Sequence, residues 1–324
     1  MISCFAVRDG YLQQVPWDEE KAREEVIWID LVAPTRKEWD RIEQMYGAHL
    51  PALTQLEDLE ATARFFVDRD GIHIHSYFLD EIRFDGQEDE DASRPPRLIT
   101  VAFALQGQRL YTVRQQELSA FRIYRLRARR EFGLNATATQ VAVGLFETKV
   151  DLLADALEYM YAALDATSQQ VFAAPEHDMK AVLKTMTQFE DVNGKIRMVL
   201  LDTQRAFSFL QRHVEFDQAY RQKIKEGFKD IESLIPHTGY FFEKINFLMD
   251  TATGMINVEQ NRIIKVMTLA SVVFLPPTLI ASIYGMNFSY MPELTVWWGY
   301  PLALSAMVVS ALAPYWFFKH RGWL

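Results

Sequence analysis

Cysteine is almost missing from this chain of 324 residues, since Cys4 is the only one. A single cysteine excludes a disulfide within the chain and agrees with a reducing compartment. The sequence also lacks a P-loop, a Gly-x-Ser-x-Gly turn and a glycine-rich dinucleotide turn, so ATP-driven pumping and covalent hydrolysis lack their usual motifs. The formal net charge of −9 is the opposite of the basic excess typical of nucleic-acid-binding proteins. We therefore predict no enzymatic activity, no organic cofactor and no nucleic-acid partner.

Charge is missing from the C-terminal part of the chain. Residues 1–260 are rich in Asp, Glu, Lys and Arg, whereas Val266–Phe318 contains one charged residue, Glu293. Two uncharged runs, Val266–Tyr284 and Trp298–Phe318, each have about the ~20 residues that an α-helix needs to cross a bilayer. The N-terminus has no basic stretch followed by an apolar core, as a signal peptide would. We predict two membrane spans behind a region that stays in the cytoplasm.

Basic residues flank the two runs and predict their orientation. Arg262 and Lys265 precede the first run, and Lys319, His320 and Arg321 follow the second. The loop between the runs has no basic residue. By the positive-inside rule, both termini are therefore predicted to face the cytoplasm.

The first 115 residues predict an α/β domain. Five short runs are rich in β-branched and aromatic residues and are bounded by Gly, Pro or Asp: ISCFAV, VIWIDL, GIHIHSYFL, RLITVAFAL and RLYTVR. The segment PTRKEWDRIEQMYG lies between the second and third runs. In it, Thr35 and Glu38 have the spacing of a helix capping box, and Gly47 ends the pattern. We predict five strands and one helix here.

From Gln116 onward the strand signals end and helical periodicity replaces them. Apolar residues recur three and four apart up to Pro175, again from His177 to about Arg212, and from Phe216 to Ile235. Pro236 predicts a break or a first helical turn. The chain beyond it predicts one helix over residues 237–284, long enough to extend past the membrane as a stalk.

One face of the first span predicts either a pore wall or a packing surface. Two spans of one chain cannot enclose a polar path, so transport requires several copies. Seven residues fall within about 100° of a helical wheel: Asn261, Ile264, Thr268, Ser271, Leu275, Thr278 and Ser282. Ser and Thr also bond back to helix carbonyls in membranes, and Pro276-Pro277 frees carbonyls that either line a pore or accompany a kink.

The composition of the spans favours a passive conduit over a coupled carrier. Neither contains Asp, Glu or Lys, so a proton relay or charge-coupled carrier has no evident residues. Mg²⁺ is a small divalent cation that loses water reluctantly. Uncharged walls lined by oxygen atoms suit the hydrated ion.

Two local patterns have ordinary structural alternatives that we favour. The basic run Arg122–Arg130 suggests nucleic-acid contact, yet a solvated helix face near acids or lipid headgroups is the simpler interpretation. His73 and His75 share one face of a strand, as a metal-binding pair would, but no third ligand has a suitable spacing. We predict an ordinary surface pair.

The loop between the spans carries a specific motif, Gly285-Met286-Asn287, followed by FSYMPEL. It coincides with EQNRIIKV, SVVFLPPTLIASIYGMNF and LAPYWFFK around the spans, and with LLDTQR and DIESLIPH before them. Over at least residues 195–324 the chain resembles the CorA magnesium channels, which have a Gly-Met-Asn motif between two C-terminal spans.

The resemblance implies a funnel-shaped homopentamer in the lipid of the cell inner membrane, with long stalk helices lining the pore and the second spans outside them. It implies an α/β cytoplasmic domain over residues 1–115, a cytoplasmic helical region over 116–235, and a stalk with the first transmembrane helix over 236–284. A periplasmic loop over 285–296, a second transmembrane helix over 297–318 and a basic cytoplasmic tail over 319–324 complete the chain.

The resemblance also implies roles for single residues. Gly285, Met286 and Asn287 would form the selectivity filter, with five Asn287 carbonyls facing a hydrated Mg²⁺ and Gly285 permitting a tight turn. Glu293 would attract cations to the mouth. The pore-lining positions would be Asn261, Ile264, Met267, Leu275 and Thr278. The basic belt at the cytoplasmic membrane face would be Lys265, Lys319, His320 and Arg321.

Regulation in this family implies a second role for Mg²⁺, as a ligand between neighbouring cytoplasmic domains that holds the channel closed. Carboxylates from two chains repel until a cation neutralises them, which makes such an interface a two-state element. The candidate residues are Asp250 and Glu226 from the stalk, with Asp80 and Glu81 opposite. The break predicted at Pro236 leaves the register of Glu226 open.

Two other functions are compatible with the sequence. A zinc-transporting relative shares the Gly-Met-Asn motif, although the MPEL loop favours Mg²⁺, with Co²⁺ and Ni²⁺ as further cargo. A membrane-tethered sensor or scaffold, in which the spans only anchor the protein, belongs to a different class.

Overall fold

The computed structural model describes residues 1–17, 23–50, 64–80, 96–130, 137–172, 179–287 and 291–322. A seven-stranded sheet has the order β2-β1-β3-β7-β6-β5-β4. Its strands are β1 (Ile2–Arg8), β2 (Tyr11–Val15), β3 (Val26–Val32), β4 (Phe65–Val67), β5 (Ile72–Leu79), β6 (Leu98–Gln106) and β7 (Arg109–Arg114). Neighbouring strands are antiparallel except β3 and β7, which are parallel.

The five predicted strands are confirmed as β1, β3, β5, β6 and β7, whereas β2 and β4 at the two edges escape the sequence prediction. In β2 the exposed Gln13 and Gln14 interrupt the alternation of apolar residues. Asp9-Gly10, with φ values of 54° and 80°, forms the tight turn before β2 and is the signal that could have found it. Strand β4 has three residues, too few to show a period.

Helix α1 (Arg36–Tyr46) begins at the predicted capping box. The backbone N–H of Glu38 donates to Thr35 Oγ1 at 3.3 Å, and the N–H of Thr35 donates to the Glu38 carboxylate at 2.8 Å. Gly47 ends the helix in a left-handed conformation with φ of 62°. Trp39 and Ile42 of α1 pack against one face of the sheet.

The remaining helices are α2 (Ser119–Ala128), α3 (Ala138–Phe172), α4 (Met179–His213), α5 (Gln218–Tyr284) and α6 (Gly299–His320). Aromatic rings fill the core where α2, α3 and α4 meet the face of the sheet opposite α1. Phe103 of β6 stacks on Phe146 of α3 with ring centroids 4.9 Å apart. Phe146 in turn contacts Phe207 of α4 at 5.9 Å.

A buried polar network attaches α3 and α4 to strand β5. Lys149 Nζ donates to Ser76 Oγ at 2.8 Å and to the Tyr77 carbonyl at 3.1 Å. Ser76 Oγ and the Tyr77 N–H both donate to the carboxylate of Asp202. Arg64 pairs with the other oxygen of Asp202 at 3.1 Å. Burial lowers the pKa of Lys149 to about 7.

The helix break predicted at Pro236 is wrong, because α5 continues through this residue to Tyr284. Proline removes one rung of the helical ladder, but tertiary contacts hold the segment in place. Thr238 is fully buried, and the side chains of Tyr161 and Asn193 donate to carbonyls of the turn after Pro236. The predicted division between residues 235 and 236 therefore falls inside one helix. The chain separates into two compact units, and within α5 their boundary lies between Met249 and Asp250.

Candidate functional site

Two helices, α5 and α6, are long and apolar enough to cross a membrane. No residue in the most apolar stretch of α5 is buried in the single chain, and only 6% of the corresponding stretch of α6 is. Apolar surfaces of this extent normally meet lipid or protein. The two predicted spans thus have the length, the composition and the exposure of membrane helices.

The predicted stripe lies on an exposed face of α5. Ile264 and Leu275 are 60% and 65% exposed, and Met267 at the edge of the stripe is 67% exposed. Asn261, Thr268, Ser271, Thr278 and Ser282 are exposed as well. The face is uncharged from Val266 onward, so it offers apolar and hydroxyl groups to whatever covers it.

Hydroxyl groups along the stripe bond back to carbonyls of their own helix. Ser271 donates to the Met267 carbonyl at 2.9 Å, and Ser282 donates to the Thr278 carbonyl at 2.8 Å. Thr278 donates to the Phe274 carbonyl at 2.7 Å. These bonds confirm the back-bonding predicted as one alternative. They also leave only lone pairs on the outer side of each oxygen, which suits contact with the hydrogens of water around a cation.

Pro276 and Pro277 lie within α5, and the helix continues past them. Proline has no N–H, so the carbonyls four residues earlier, at Val272 and Val273, lack their helical donors. The pair thus frees two carbonyls without ending the helix.

The Gly-Met-Asn motif follows the last helical residue of α5. The N–H of Gly285 donates to the Ala281 carbonyl at 2.9 Å, and that of Met286 donates to the Ile283 carbonyl at 3.3 Å. A β-carbon at Gly285 would lie 3.2 Å from the Ala281 carbonyl oxygen, which makes this a tight position. Met286 and Asn287 are both exposed. Asn287 therefore lies, exposed, just beyond the uncharged last part of α5, Val266–Tyr284.

Glu293 lies in a short 3-10 helix, Pro292–Thr295, and its side chain is exposed. Gly299 at the start of α6 touches the backbone carbonyl of Glu293 so closely that no β-carbon fits between them. This close approach fixes the turn that carries Glu293 against α6. Gly299 is a functional candidate that sequence reasoning missed, because its neighbour in space is six residues away.

Glu226 lies in an acidic cavity of about 340 Å³ within the first unit, lined by residues of α2, α3 and α5. Three further carboxylates line it, those of Glu147, Asp151 and Asp230. Arg127 and Lys223 oppose them, and Arg127 pairs with Asp151 at 2.6 Å. In the described part of the chain, no three acidic, histidine or cysteine side chains are grouped closely enough to chelate a metal ion directly.

The carboxylates in this cavity lie close enough to repel one another. Burial raises the pKa of Glu147, and the neighbouring charges of Asp151, Glu226 and Asp230 raise it further, against the opposing effect of Lys223. A bound cation would relieve this repulsion. The sequence contains part of this signal, since α3 and α5 each carry two of these acids four residues apart. It does not show that the two helices lie side by side.

Two other predicted regulatory residues, Asp250 and Asp80, do not line this cavity. Asp250 is exposed on α5 in the second unit. Asp80 is half-buried at the end of β5, and its N–H donates to the Arg97 carbonyl at 2.9 Å. Glu81 lies outside the described residues. These three residues stay predictions.

The residues of the predicted basic belt, Lys265, Lys319, His320 and Arg321, are all exposed. Arg321 lies over the ring of Phe317 at 5.6 Å from its centroid. The other basic run, Arg122–Arg130, has the acidic partners predicted for it: Arg125 contacts Asp30 at 3.3 Å, besides the Arg127–Asp151 pair.

The prediction of a surface histidine pair is wrong, because both side chains are buried. His73 and His75 are 4% and 1% exposed, and Phe66 of strand β4 stacks over them. His73 Nε2 contacts the Asp68 carboxylate at 3.1 Å. Burial, together with His73 and Arg64, lowers the pKa of His75 to about 4. The pair thus belongs to the packing of the sheet edge.

Comparison with known proteins covers the whole chain. The sequence model described as "CorA-like Mg2+ transporter protein" matches residues 23–320. The Magnesium transport protein CorA of Yersinia pseudotuberculosis is 44% identical over 325 residues, covering 100% of both chains. The protein of the same name from Salmonella typhimurium is 43% identical, with the same coverage.

A structural comparison gives the same fold. The complete structure of the CorA magnesium transporter from Methanocaldococcus jannaschii superimposes with a TM-score of 0.74. That match covers 100% of this chain and 99% of the other at 18% sequence identity. At this level of identity the match shows a shared fold, including the long helices that precede the two spans.

Proposed function

Because this chain belongs to the CorA-like Mg2+ transporter family, we propose that it is a channel through which Mg²⁺ enters the cell across the inner membrane. In this proposal the protein is a homopentamer embedded in membrane lipid, with both termini in the cytoplasm. Co²⁺ and Ni²⁺ are further cargo. The observation that carries the proposal is the position of Asn287 just beyond Val266–Tyr284, the uncharged last part of α5 in which no residue is buried, in a chain 44% identical over its full length to a magnesium transport protein.

The number of spans supports assembly from several copies. A pair of helices has no interior, whereas five copies of α5 around an axis would enclose a path. The exposed face with Asn261, Ile264, Met267, Leu275 and Thr278 would then line it. At the outer end, five Asn287 carbonyls would accept hydrogen bonds from the water of a hydrated Mg²⁺, with Gly285 and Met286 shaping the turn. Such a ring requires no charge and no dehydration of the ion.

Charges at the two ends of the path complete the proposal. Glu293, held by the contact with Gly299, would raise the local concentration of cations at the periplasmic mouth. Lys265, Lys319, His320 and Arg321 would form a basic belt near the lipid headgroups of the cytoplasmic face.

Regulation by Mg²⁺ is supported by the acidic cavity around Glu226. Burial first, and then its acidic neighbours, raise the pKa of Glu147, so this carboxylate gains most from a cation that neutralises those neighbours. We propose that Mg²⁺ at Glu226 and at Asp250, with Asp80 and Glu81 from the opposing side, stabilises the closed state. Loss of Mg²⁺ would restore the repulsion and favour opening.

The test is ion flux into liposomes containing the purified full-length protein, with Mg²⁺, Zn²⁺ and Co²⁺ compared side by side. Asn287→Ala should reduce Mg²⁺ flux by roughly tenfold or more, because the variant loses the ring of side-chain carbonyls that would accept hydrogen bonds from the hydrated ion. Asn246→Ala, an exposed asparagine of α5 outside the span, is the matched control and should conduct like the unaltered protein.

Each contrary outcome identifies a different function. Unchanged Mg²⁺ flux in Asn287→Ala would remove the filter from the proposal. Flux of Zn²⁺ without Mg²⁺ would identify a zinc transporter of the ZntB type. Absence of flux for all three ions from protein that is folded and assembled would favour a membrane-tethered sensor or scaffold.

A further inference from the structure

Helix α5 has a gap in its hydrogen-bond ladder at Pro236. Since proline carries no N–H, the carbonyl of Glu232 lacks its helical donor. Two residues beyond the proline, Thr238 Oγ1 donates to the carbonyl of Ile235 at 2.7 Å. The ladder at this turn thus depends on side chains as well as on the backbone.

Side chains from two neighbouring helices fasten the turn after the gap. Tyr161 of α3 donates its hydroxyl proton to the His237 carbonyl at 3.0 Å. Asn193 of α4 donates from Nδ2 to the Thr238 carbonyl at 3.0 Å, and Arg197 of α4 donates to Thr238 Oγ1 at 3.2 Å. The carbonyls of residues 237 and 238 therefore have donors outside α5. They keep a hydrogen-bond partner even when the helical ladder opens, which lowers the free-energy cost of opening.

One polar atom at this turn is left over. Asn193 is 3% exposed, and its Oδ1 is buried without a hydrogen-bond partner among the described residues. An unpaired buried acceptor is unfavourable in the present arrangement. It also offers a partner to a backbone N–H that opening of the ladder would release.

The surroundings leave room for a change of direction. An open cleft of about 550 Å³ lies beside Pro236 and is lined by Tyr161, His237 and Tyr240. Gly239 lies three residues after Pro236. A β-carbon at this position would have room, since its nearest neighbour, Arg197 Nη1, would be 3.7 Å away. Glycine in a helix interior lowers helix stability. Proline and glycine on consecutive turns are a frequent cause of helix bending.

We propose that residues 236–239 form a clamped hinge in α5. The helix bends at the gap left by Pro236, while Tyr161, Asn193 and Arg197 keep hold of the turn that follows. Because α5 continues to Tyr284, a bend here redirects the helix that enters the first span. The hinge is a property of α5 itself and does not depend on which ion the protein carries.

Hydrogen exchange of the full-length protein in detergent, followed peptide by peptide, tests this hinge. Amides 237–243 should exchange faster than the α5 amides on either side. Tyr161→Phe, which keeps the ring but removes the donor that the His237 carbonyl retains in the open state, should slow their exchange roughly fivefold. Pro236→Ala, which restores the missing N–H, should slow it by a similar factor.

Two glycines of the same helix provide a matched comparison. Gly239→Ala and Gly254→Ala both add a β-carbon where the space allows one, since nothing lies within 4 Å at Gly254. Gly239→Ala should slow exchange of amides 237–243 roughly fivefold, and Gly254→Ala should leave these amides unchanged. Equal effects of the two changes, or exchange at 237–243 no faster than in the flanking turns, would overturn the hinge. The glycine pair decides the matter even if Pro236→Ala fails to fold.

Discussion

The backbone carbonyl of Glu293 occupies the space that a β-carbon of residue 299 would need, and Gly299 has none. The N–H of Gly299 donates to the Val296 carbonyl at 2.9 Å. The first residue of α6 is thus in direct contact with the turn that carries Glu293. The only acid between Val266 and Phe318 is positioned by a glycine.

Gly299→Ala should displace this turn and reduce Mg²⁺ flux. Crowding of this kind in a packed site costs about 1–3 kcal/mol, so we expect flux to fall about tenfold while the protein still assembles. Liposome flux with size-exclusion chromatography measures both quantities. Gly254→Ala, at a position with open space, is the control and should conduct normally. Normal flux in Gly299→Ala would mean that the position of Glu293 is unimportant for entry.

Glu147→Gln should stabilise the protein when Mg²⁺ is absent. Burial and the nearby acids raise the folded-state pKa of Glu147, so stability decreases as the pH rises from about 4.5 through the raised value. At pH 7.5 the neutral glutamine avoids this cost, and we expect the thermal midpoint to rise by about 2–4 °C. Millimolar Mg²⁺ should reduce the difference between the two proteins.

The control for this change is Glu158→Gln, which alters an exposed acid of the same helix. Its thermal midpoint should match that of the unaltered protein with and without Mg²⁺. If Glu147→Gln stabilises the protein equally with and without Mg²⁺, the carboxylates of this cavity do not bind the cation.

Asp250→Lys should reproduce the effect of bound Mg²⁺. The lysine supplies a fixed positive charge, which removes the repulsion between carboxylates that the cation would otherwise relieve. Limited proteolysis of the unaltered protein should slow as Mg²⁺ reaches millimolar concentrations. The variant should be protected already without Mg²⁺. Glu243→Lys, at another exposed acid of α5, should retain the Mg²⁺ response. Proteolysis indifferent to Mg²⁺ would count against the sensor and leave the pore untouched.

His75 should make the protein sensitive to acid. Its folded-state pKa of about 4 lies below the ordinary value of 6.5, so the unfolded chain binds more protons between these values. Stability should therefore fall as the pH drops from about 6.5 towards 4. His75→Gln should flatten this part of the profile, measured as thermal midpoint against pH. His49→Gln, at an exposed histidine, should not. A profile that keeps its slope in His75→Gln would assign the acid sensitivity to other groups.

Local patterns were the reliable part of the sequence prediction. The capping box of Thr35 and Glu38 involves neighbouring residues, and the five recognised strands have strong runs of apolar residues. The spans were readable because the bilayer demands about 20 uncharged residues in succession. The motif at Asn287 was readable because it follows such a span directly.

What the sequence could not predict depends on contacts between distant segments. Pro236 suggested a break because a local rule ignores the donors that Tyr161 and Asn193 supply from other helices. The cavity around Glu147 and Glu226 requires α3 and α5 to lie side by side, and no local period reports that. Buried His73 and His75 looked like surface residues because the short strand that covers them shows no pattern.

The parallel pairing of β3 with β7 has a consequence for biosynthesis. Trp28 pairs with Leu110, so the middle of the sheet cannot close until the ribosome has delivered residues far beyond β3. All seven strands are nevertheless complete at Arg114, long before the first span begins near Val266. At roughly 5–20 residues per second the interval is on the order of ten seconds. The sheet can therefore finish folding before any apolar helix emerges, which separates the folding of the first unit from membrane insertion in time.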